Sequence, residues 1–274
     1  MSCVARVFLV RHGETAYNAV RRIQGWRDIA LDTRGQQQAC AAAARLAAEI
    51  GPRAPIAAIV SSPLQRAHAT AVAVAAALAQ TRAPGAVPAV ATDVRLKEIG
   101  LGVVEGTYLG TVPSVADAAA NEQSLALMRT VRQQWAAGDR TAAVPGGESP
   151  AAVASRACAA VAETLDTLFP EENRKLFVVV PRCDLLLLFA VFAVCDMDMC
   201  VCVDRVPAEE APVVVFVSHG MCLKFLVASI TGVTVEMKNT AVSRLDWCGG
   251  SVWHTGYLND ASHVASNATA LFTD

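Results

Sequence analysis

His12 is the side chain in this sequence best suited to covalent chemistry, because it follows Arg11 at the end of an apolar run and precedes Gly13. A neutral imidazole is a competent nucleophile toward phosphorus, and water can resolve the phosphorylated histidine in a second step. The far ring nitrogen must donate to a fixed acceptor, so that the attacking nitrogen keeps its lone pair. A tight turn at Gly13 would supply a backbone carbonyl for this purpose. The segment therefore indicates phosphoryl transfer from a small phosphorylated metabolite to His12.

Phosphoryl transfer places negative charge on three equatorial oxygens, and planar guanidinium groups bind such oxygens in pairs. Arg11 and Arg66 suit that role. His219 would add a donor at the start of a helix, where free amides and the helix dipole also favour an anion. Glu98 is the candidate proton donor to the leaving oxygen, because a carboxyl group beside a dianionic phosphate retains its proton more readily. This chemistry requires neither a metal nor another cofactor.

Each candidate histidine follows an apolar run that predicts a buried β-strand. Residues 4–10 lead into His12, and residues 213–217 lead into His219. Residues 56–60 predict a further strand. Strands that alternate with helices predict a mostly parallel sheet covered on both faces, with the site at the carboxyl ends of the strands.

Helix signals lie between these strands. Apolar residues recur at helical spacing over residues 35–50 and 221–230. Ser62 and Ser149 each precede a proline, a pair that is typical of helix starts because the serine caps free amides and the ring fits the first turn. The first of these helices places Arg66 in its first turn. We predict an irregular stretch around residues 98–114 and an irregular tail after about residue 253.

Composition narrows the class of protein. The chain has 274 residues, 54% hydrophobic and 18% charged, with a net charge of -2, which fits one globular domain over residues 1–274 and argues against a nucleic-acid partner. The nine cysteines are scattered and odd in number, and no secretory segment opens the chain, so we predict a cytoplasmic protein. The longest apolar run, residues 185–195, is too short to span a bilayer, which predicts no membrane partner.

Three motifs carry a resemblance to a known family. They are Leu-Val-Arg-His-Gly-Glu-Thr at residues 9–15, Ser-Ser-Pro-Leu-Gln-Arg-Ala at residues 61–67, and Val-Ser-His-Gly at residues 217–220. In this order they resemble the histidine phosphatase superfamily, also called phosphoglycerate mutase-like. The resemblance extends over about residues 4–247 and implies a three-layer α/β/α sandwich.

Site residues follow from this resemblance, motif by motif. It implies that Arg11 and Arg66 bind phosphate, that His12 is the nucleophile, that Glu98 is the proton donor and that His219 is a second pocket histidine. Further substrate-binding positions are implied near the first and third motifs: Asn18, Gln24, Gly25 and Gly220. Glu148, in Gly-Gly-Glu-Ser, and the run at residues 239–242 also match familiar patterns without implying catalysis.

The superfamily contains phosphatases and mutases, and the surroundings of Glu98 distinguish them. Ile-Gly-Leu-Gly-Val-Val-Glu-Gly follows Glu98 and is similar to the small-molecule phosphatases. The glutamate-arginine, tyrosine-glycine pattern and the downstream basic pair of cofactor-dependent phosphoglycerate mutases are missing. We therefore favour a metal-independent phosphatase. Two alternatives stay open, a phosphoglycerate mutase and a catalytically inactive member that binds a phospholigand or a protein.

One segment departs from the family pattern. Residues 177–180 resemble the strand that carries the second histidine, but Pro-Arg-Cys-Asp follows them, and Ser-His-Gly arrives only at His219. We interpret residues 174–212 as an insertion that is apolar enough to pack on the domain or against a partner. Alternatively, it moves the second strand or covers the pocket, which would misplace His219. Its cysteines lack Cys-x-x-Cys spacing, so we predict structural thiols and not a metal site. His68, His254 and His263 have no partners in sequence that indicate chemistry. The physiological substrate and the oligomeric state stay open.

Overall fold

The computed structural model describes residues 3–113, 115–171 and 210–264, in which six strands form one sheet. The strands are β1 (Ala5–Arg11), β2 (Ile56–Ser61), β3 (Val90–Thr92), β4 (Val213–Ser218), β5 (Val242–Trp247) and β6 (Trp253–Asp260). Their spatial order is β3-β2-β4-β1-β5-β6. The pairs from β3 to β1 are parallel, whereas β5 pairs antiparallel with β1 and β6 pairs antiparallel with β5. The predicted mostly parallel sheet is confirmed.

Helices connect the strands and cover both faces of the sheet. They are α1 (Ala16–Ala19), α2 (Thr33–Ile50), α3 (Gln65–Ala79), α4 (Val115–Ala136), α5 (Pro150–Leu168) and α6 (Gly220–Thr231). Short 3-10 turns at Val94–Leu96 and Gly102–Val104 interrupt the otherwise irregular stretch between β3 and α4. The sequence patterns led us to assign no helix to α4.

Alternating side chains of β1 divide the core into two layers. Phe8 and Val10 pack in one apolar cluster with side chains of α2 and α3. Val7 and Leu9 point to the other face and pack in a second cluster with α4, α5 and α6. Successive side chains of a strand point to opposite faces, so a strand with four consecutive apolar residues, Val7 to Val10, must be covered on both faces. The three-layer α/β/α fold follows from this packing and is confirmed.

The helix starts agree only partly with the sequence signals. Ser149 caps α5, because its side chain accepts a hydrogen bond from the backbone N–H of Ala152. Ser62, by contrast, does not cap α3, which begins at Gln65 after Leu64. The prediction of Ser62 as N-cap was wrong because the chain continues for two residues before the helix, and the Ser62 hydroxyl bonds to His219 instead. Arg66 nevertheless lies in the first turn, as predicted.

The C-terminal part contains more regular structure than the sequence indicated. We predicted an irregular tail after about residue 253, but Trp253–Asp260 forms β6 at the edge of the sheet. The prediction was wrong because the side chains of this edge strand are exposed or half-buried with little alternation. Its sequence therefore shows no apolar period from which a strand could be predicted. Residues 172–209, with the predicted strand at residues 177–180 and the cysteines of the predicted insertion, lie outside the described residues.

Parallel pairing brings the ends of three strands together. In the register of β1 with β4, Arg11 lies beside Ser218, so the next residues, His12 and His219, leave the sheet at the same edge. β2 ends beside β4 at Ser61, and α3 follows with Arg66. The motifs at residues 9–15, 61–67 and 217–220 therefore meet at one edge of the sheet.

Candidate active site

His12 lies directly after β1, and its ring is held by its neighbour. Its backbone N–H donates to the carbonyl of Ser218 at 3.0 Å, which fixes the turn against β4. Nδ1 lies 2.6 Å from the Gly13 carbonyl oxygen and therefore donates to it. The proton on Nδ1 leaves Nε2 with a free lone pair in the neutral ring. The predicted role of the Gly13 carbonyl agrees with this geometry.

The surroundings of His12 keep its imidazole neutral. The side chain is buried, and burial, followed by the charges of Arg66 and Arg11, holds the pKa of His12 well below its usual value of 6.5. A buried imidazolium beside two guanidinium groups would be both desolvated and repelled. His12 is therefore in the nucleophilic form throughout the neutral pH range.

Arg66 is buried, and backbone carbonyls hold its guanidinium. Nη1 donates to the carbonyl of Arg27 at 2.8 Å, and Nη2 donates to that of Gly25 at 2.9 Å. Nε donates to Nδ1 of His219 at 3.2 Å. Burial lowers the pKa of Arg66 to about 10, so the group stays charged at neutral pH. These bonds fix a cation beside His12, and no carboxylate among the described residues is hydrogen-bonded to it.

Arg11 supplies a second cation at the end of β1. Its Nη1 donates to the Met237 carbonyl, and its Nε has no partner among the described residues although it is buried. Burial lowers the pKa of Arg11 to about 10, and the nearby charge of Glu98 partly opposes this change. A buried guanidinium with unused hydrogen-bond donors destabilises the folded protein unless an anion binds beside it. Arg11 thus retains hydrogen-bonding capacity for a ligand.

His219 lies beside His12, with ring centroids 5.1 Å apart. Because Nδ1 accepts from Arg66, the ring proton is on Nε2, which donates to the Ser62 hydroxyl at 2.8 Å. Both ring nitrogens of His219 are therefore bonded within the protein. The residue is fully buried, and burial, with the charge of Arg66, lowers its pKa well below 6.5. His219 orients Arg66, and a direct bond from it to a ligand stays a prediction.

Glu98 lies in the irregular stretch and reaches the amino end of α6. Its Oε1 accepts 3.0 Å hydrogen bonds from the backbone N–H groups of Ile99 and Cys222, and Oε2 accepts one of 3.3 Å from Met221. We predicted that the free amides of this helix would bind an anion of the substrate. That prediction was wrong for Met221 and Cys222, because the carboxylate of Glu98 already occupies their amides.

The loop after β1 carries three further predicted residues. Asn18 caps α1 together with Thr15, and Thr15 also donates to Oε1 of Gln24 at 3.0 Å. Gly25 has a positive φ of 52°, and an added Cβ there would lie 2.0 Å from a carboxylate oxygen of Glu105. Only glycine fits this close approach, which brings the Gly25 carbonyl to Arg66. Asn18 and Gln24 are thus fixed at the edge of the site.

These residues surround a cavity of about 450 Å³. The predicted site residues in its wall are Arg11, His12, Asn18, Gln24, Gly25, Arg66 and Glu98. His219 and Gly220 do not line it. Gly220 instead makes room for Arg11, since a Cβ there would lie 3.3 Å from Nε and Cζ of the guanidinium. Substrate binding by Gly220 and direct catalysis by His219 stay predictions.

Sequence reasoning missed several residues that organise the site. Thr70 accepts a 3.2 Å hydrogen bond from the backbone N–H of Gly13 and donates to the Arg66 carbonyl, so it joins α3 to the His12 turn. Arg156 donates to backbone carbonyls of the segment that carries Glu98. Thr70 lies one helical turn after Arg66, and this i, i+4 spacing on α3 is the signal that could have identified it.

Acidification is expected to destabilise the fold through His12 and His219. Both have a pKa far below 6.5 in the folded chain, so below pH 6.5 the unfolded chain binds protons that the folded chain does not. The contribution of the two neutral histidines to the free energy of unfolding is fully present above pH 6.5. Below pH 6.5 this free energy decreases by up to about 1.4 kcal/mol per pH unit for each histidine. Chemical denaturation at pH 6.5, 6.0 and 5.5 measures this slope. In His219→Gln the slope should be smaller by the contribution of about one proton, and equal slopes in this variant and in the unmodified protein would contradict the prediction.

No metal site or membrane span is found in the part of the chain that the structure describes. No group of three or more His, Cys, Asp or Glu side chains there could hold a metal ion. None of the helices in the same ranges is long and apolar enough to cross a membrane.

The sequence model of the histidine phosphatase superfamily (branch 1) matches residues 7–180, which include His12, Arg66 and Glu98 but end before His219. Curated relatives align over nearly the whole chain. One described as a probable phosphoglycerate mutase, GpmB, from Salmonella choleraesuis is 28% identical over 277 residues, covering 96% of this chain and 96% of the relative.

Solved structures give the same fold. A mycobacterial glucosyl-3-phosphoglycerate phosphatase, solved with VO3, is 28% identical with a TM-score of 0.59, covering 93% of this chain and 98% of that one. YhfR from Bacillus stearothermophilus is 25% identical with a TM-score of 0.60, covering 94% and 98%. A phosphoglycerate mutase from Bacillus anthracis, 20% identical with a TM-score of 0.61, covers 96% of each chain and shares the fold.

Proposed function

Since the chain belongs to the histidine phosphatase superfamily, whose members are phosphatases or mutases, we propose that it is a metal-independent phosphatase that hydrolyses a small phosphomonoester through a phosphohistidine on His12. One observation carries the proposal. The neutral ring of His12, with Nδ1 bonded to Gly13, leaves Nε2 free in a cavity that also contains Arg11, Arg66 and Glu98. This arrangement combines a nucleophile, two fixed cations and an acid.

In the proposed first step, Arg11 and Arg66 bind the phosphoryl oxygens, and Nε2 of His12 attacks phosphorus. The bond to the ester oxygen breaks, and that oxygen takes a proton from Glu98. Oε2 is the better oxygen for this proton, because it accepts one 3.3 Å bond whereas Oε1 accepts two of 3.0 Å. Like-charge repulsion by the substrate dianion favours the protonated acid.

In the second step, water attacks the phosphorylated His12 and gives up a proton to the Glu98 carboxylate. The nitrogen–phosphorus bond breaks, phosphate leaves, and Glu98 is again protonated. The net reaction is a phosphomonoester and water giving an alcohol and phosphate. Because His12 stays neutral before attack and both cations are permanent, no group other than Glu98 must change its protonation state.

The wall beyond the phosphate site suits the organic part of a substrate. It is mainly apolar and includes Leu109, Met128, Trp135 and Phe225. The rings of Trp135 and Phe225 meet edge to face, with centroids 6.3 Å apart. A wall of this kind favours substrates with apolar bodies.

Trp135→Ala is expected to raise KM for an aryl phosphate about tenfold, because an indole face that covers an apolar body contributes about 1.5 kcal/mol or more. KM for glycerol 2-phosphate should change much less. Steady-state kinetics with 4-nitrophenyl phosphate and glycerol 2-phosphate measure both. Trp253, which packs on Trp247 in the sheet and does not line the cavity, provides the matched Trp253→Ala control. Equal changes for both substrates would contradict a wall that selects the substrate body.

A phosphoglycerate mutase is the second candidate, and a specific observation favours it. A mutase needs cations for the carboxylate of its substrate, and Arg21, Arg132 and Arg140 line the cavity, as does Lys224, which is paired with Glu236. We favoured a phosphatase from the surroundings of Glu98 and from the missing mutase pattern and basic pair, but the fold brings these other cations into the wall. The GpmB relative carries a mutase description, whereas the mycobacterial neighbour is a phosphatase.

One experiment separates these functions. The protein is incubated with 4-nitrophenyl phosphate and, separately, with 3-phosphoglycerate, and free phosphate and 2-phosphoglycerate are followed. Release of phosphate that His12→Ala abolishes supports the phosphatase. Appearance of 2-phosphoglycerate without net phosphate would replace it by the mutase, and no product in either assay would favour an inactive binding protein.

A further inference from the structure

The segment that carries Glu98 depends on side chains for its backbone hydrogen bonds. The carbonyls of Arg95 and Lys97 accept from Arg156, and the carbonyl between them, that of Leu96, accepts from the Ser218 hydroxyl at 2.7 Å. The Glu98 carbonyl accepts both from Arg156 and from the indole of Trp26. Four consecutive carbonyls are thus held by side chains from other elements. The position of Glu98 depends on these donors, because no strand or helix contains it.

Arg156, on α5, uses its whole guanidinium for this purpose. Nη1 donates to the carbonyls of Arg95 at 2.6 Å and Lys97 at 2.7 Å, and Nη2 donates to that of Glu98 at 2.9 Å. Nε and the other proton of Nη2 donate to the two carboxylate oxygens of Glu148, at 2.8 and 2.7 Å. All five N–H groups are used, and the three protons of a lysine ammonium could not replace this planar array.

Glu148 completes the attachment on the opposite side of the loop. Its Oε2 also accepts from the backbone N–H of Gly100 at 2.8 Å, and its own N–H donates to the Gly100 carbonyl at 2.7 Å. Burial alone would lower the pKa of Arg156 and raise that of Glu148, but their mutual hydrogen bonds shift both in the opposite direction. Both partners therefore stay charged, and the pair ties α5 to the residues on either side of Glu98.

Trp26 holds the same carbonyl from the solvent side. Its indole N–H donates to the Glu98 carbonyl at 2.8 Å, and Nζ of Lys97 lies 3.8 Å from the ring centroid. The ring also covers Gly100, where an added Cβ would lie 3.1 Å from the indole. Trp26 is 45% exposed, so its main contacts are with this loop and not with the core.

We infer that Arg156, held by Glu148, and Trp26 are positioning residues that fix Glu98 for proton transfer to the leaving oxygen. The inference rests on the proposed function, in which Glu98 is the general acid. None of the three side chains lines the cavity, so they act on the substrate only through Glu98. A displaced acid should slow reactions that need protonation of the leaving group and spare those that do not.

The test compares two leaving groups. 4-Nitrophenolate leaves readily without a proton, whereas the alkoxide of glycerol 2-phosphate does not. kcat/KM reports the steps up to release of the alcohol, so later hydrolysis of the phosphoenzyme does not affect it. For Arg156→Lys we expect kcat/KM to fall by about tenfold or more with glycerol 2-phosphate and by less than about threefold with 4-nitrophenyl phosphate. The inhibition constant of inorganic phosphate should stay within about twofold, since Arg11 and Arg66 are untouched.

Two further variants keep the test decisive. Trp26→Phe removes one hydrogen-bond donor at an exposed position. It should lower kcat/KM for glycerol 2-phosphate more than kcat/KM for 4-nitrophenyl phosphate, by a smaller factor than Arg156→Lys, and it is informative even if Arg156→Lys folds poorly. Arg244→Lys is the control, because Arg244 makes a similarly buried two-bond pair with Asp246 away from the cavity. Equal losses with both substrates, or none, in Arg156→Lys and Trp26→Phe would overturn the inference. Failure of the proposed function would be seen earlier, as no hydrolysis by the unmodified protein.

Discussion

Replacing His12 with alanine is expected to reduce kcat/KM for phosphomonoester hydrolysis by about 10⁴-fold or more, because in the proposed mechanism His12 forms the covalent intermediate. In the structure, Nε2 of His12 is the free end of a ring fixed through Nδ1 to the Gly13 carbonyl at 2.6 Å. The His12→Asn variant retains a donor near the position of Nδ1 but has no atom that replaces Nε2. Its loss of activity should match that of His12→Ala.

The control for both variants is ligand binding. Arg11 and Arg66 are held by the carbonyls of Met237, Gly25 and Arg27, none of which involves the His12 side chain. Inorganic phosphate should therefore still bind to His12→Ala, within about tenfold of its affinity for the unmodified protein. Calorimetry measures this binding. Hydrolysis that persists in a folded, phosphate-binding His12→Ala protein would contradict the assignment of the nucleophile.

Replacing Arg66 with lysine is expected to lower kcat/KM by about 10²-fold to 10³-fold although the charge is kept. The guanidinium makes three separately directed bonds, to the carbonyls of Gly25 and Arg27 and to Nδ1 of His219. An ammonium group cannot make these bonds and also present paired donors to the phosphoryl oxygens. The loss should appear in both kcat and KM, because the cation binds the substrate and stabilises charge in the transition state.

Arg82 provides the matched control for Arg66→Lys. It follows the same helix, α3, and also binds backbone carbonyls, those of Leu78, Gly51 and Ala54, but it does not line the cavity. Arg82→Lys should lower thermal stability modestly and leave kcat/KM within about twofold. Comparable kinetic losses in Arg66→Lys and Arg82→Lys would show that the effect comes from folding and not from phosphate binding.

The motif residues could be predicted because strand topology determines where they meet. The apolar runs before His12 and His219 identified β1 and β4, and parallel strands that pair in register deliver their following residues to one edge. β2 also pairs in parallel with β4, so the helix that follows β2 brings Arg66 to the same edge of the sheet. The predicted insertion before β4 does not prevent this meeting, since the rings of His12 and His219 are 5.1 Å apart.

The hydrogen-bond partners within the site could not be read in the same way. The Arg156 side chain binds carbonyls from residues 95, 97 and 98, which are about sixty positions away in the chain. Such bonds depend on the packing of α5 against the loop, and no local pattern encodes them. The amides of α6 seemed free for an anion because a sequence does not show that Glu98 reaches them. Ser62 likewise looked like a helix cap, whereas the fold uses its hydroxyl to bind His219.

Helix α4 and strand β6 escaped prediction for a different reason. Among the strands that the structure describes, the outer strand β6 pairs only with β5, and its side chains are half-buried or exposed without alternation. Among the described side chains of α4, few are fully buried, Met128 and Val131 being the apolar ones in the core. Periodicity signals weaken where an element buries little apolar surface. Both elements lie at the periphery, and α4 contributes Met128 and Trp135 to the cavity wall.

Trapping the phosphorylated intermediate decides whether His12 carries the phosphoryl group. The protein is mixed with ³²P-labelled phosphomonoester, quenched in alkali within milliseconds, and digested for peptide mapping. We expect label on the peptide that contains His12, stable in alkali and labile in acid, and no label in His12→Asn. Label that survives acid, label on another peptide, or hydrolysis of the substrate without any labelled protein would contradict it.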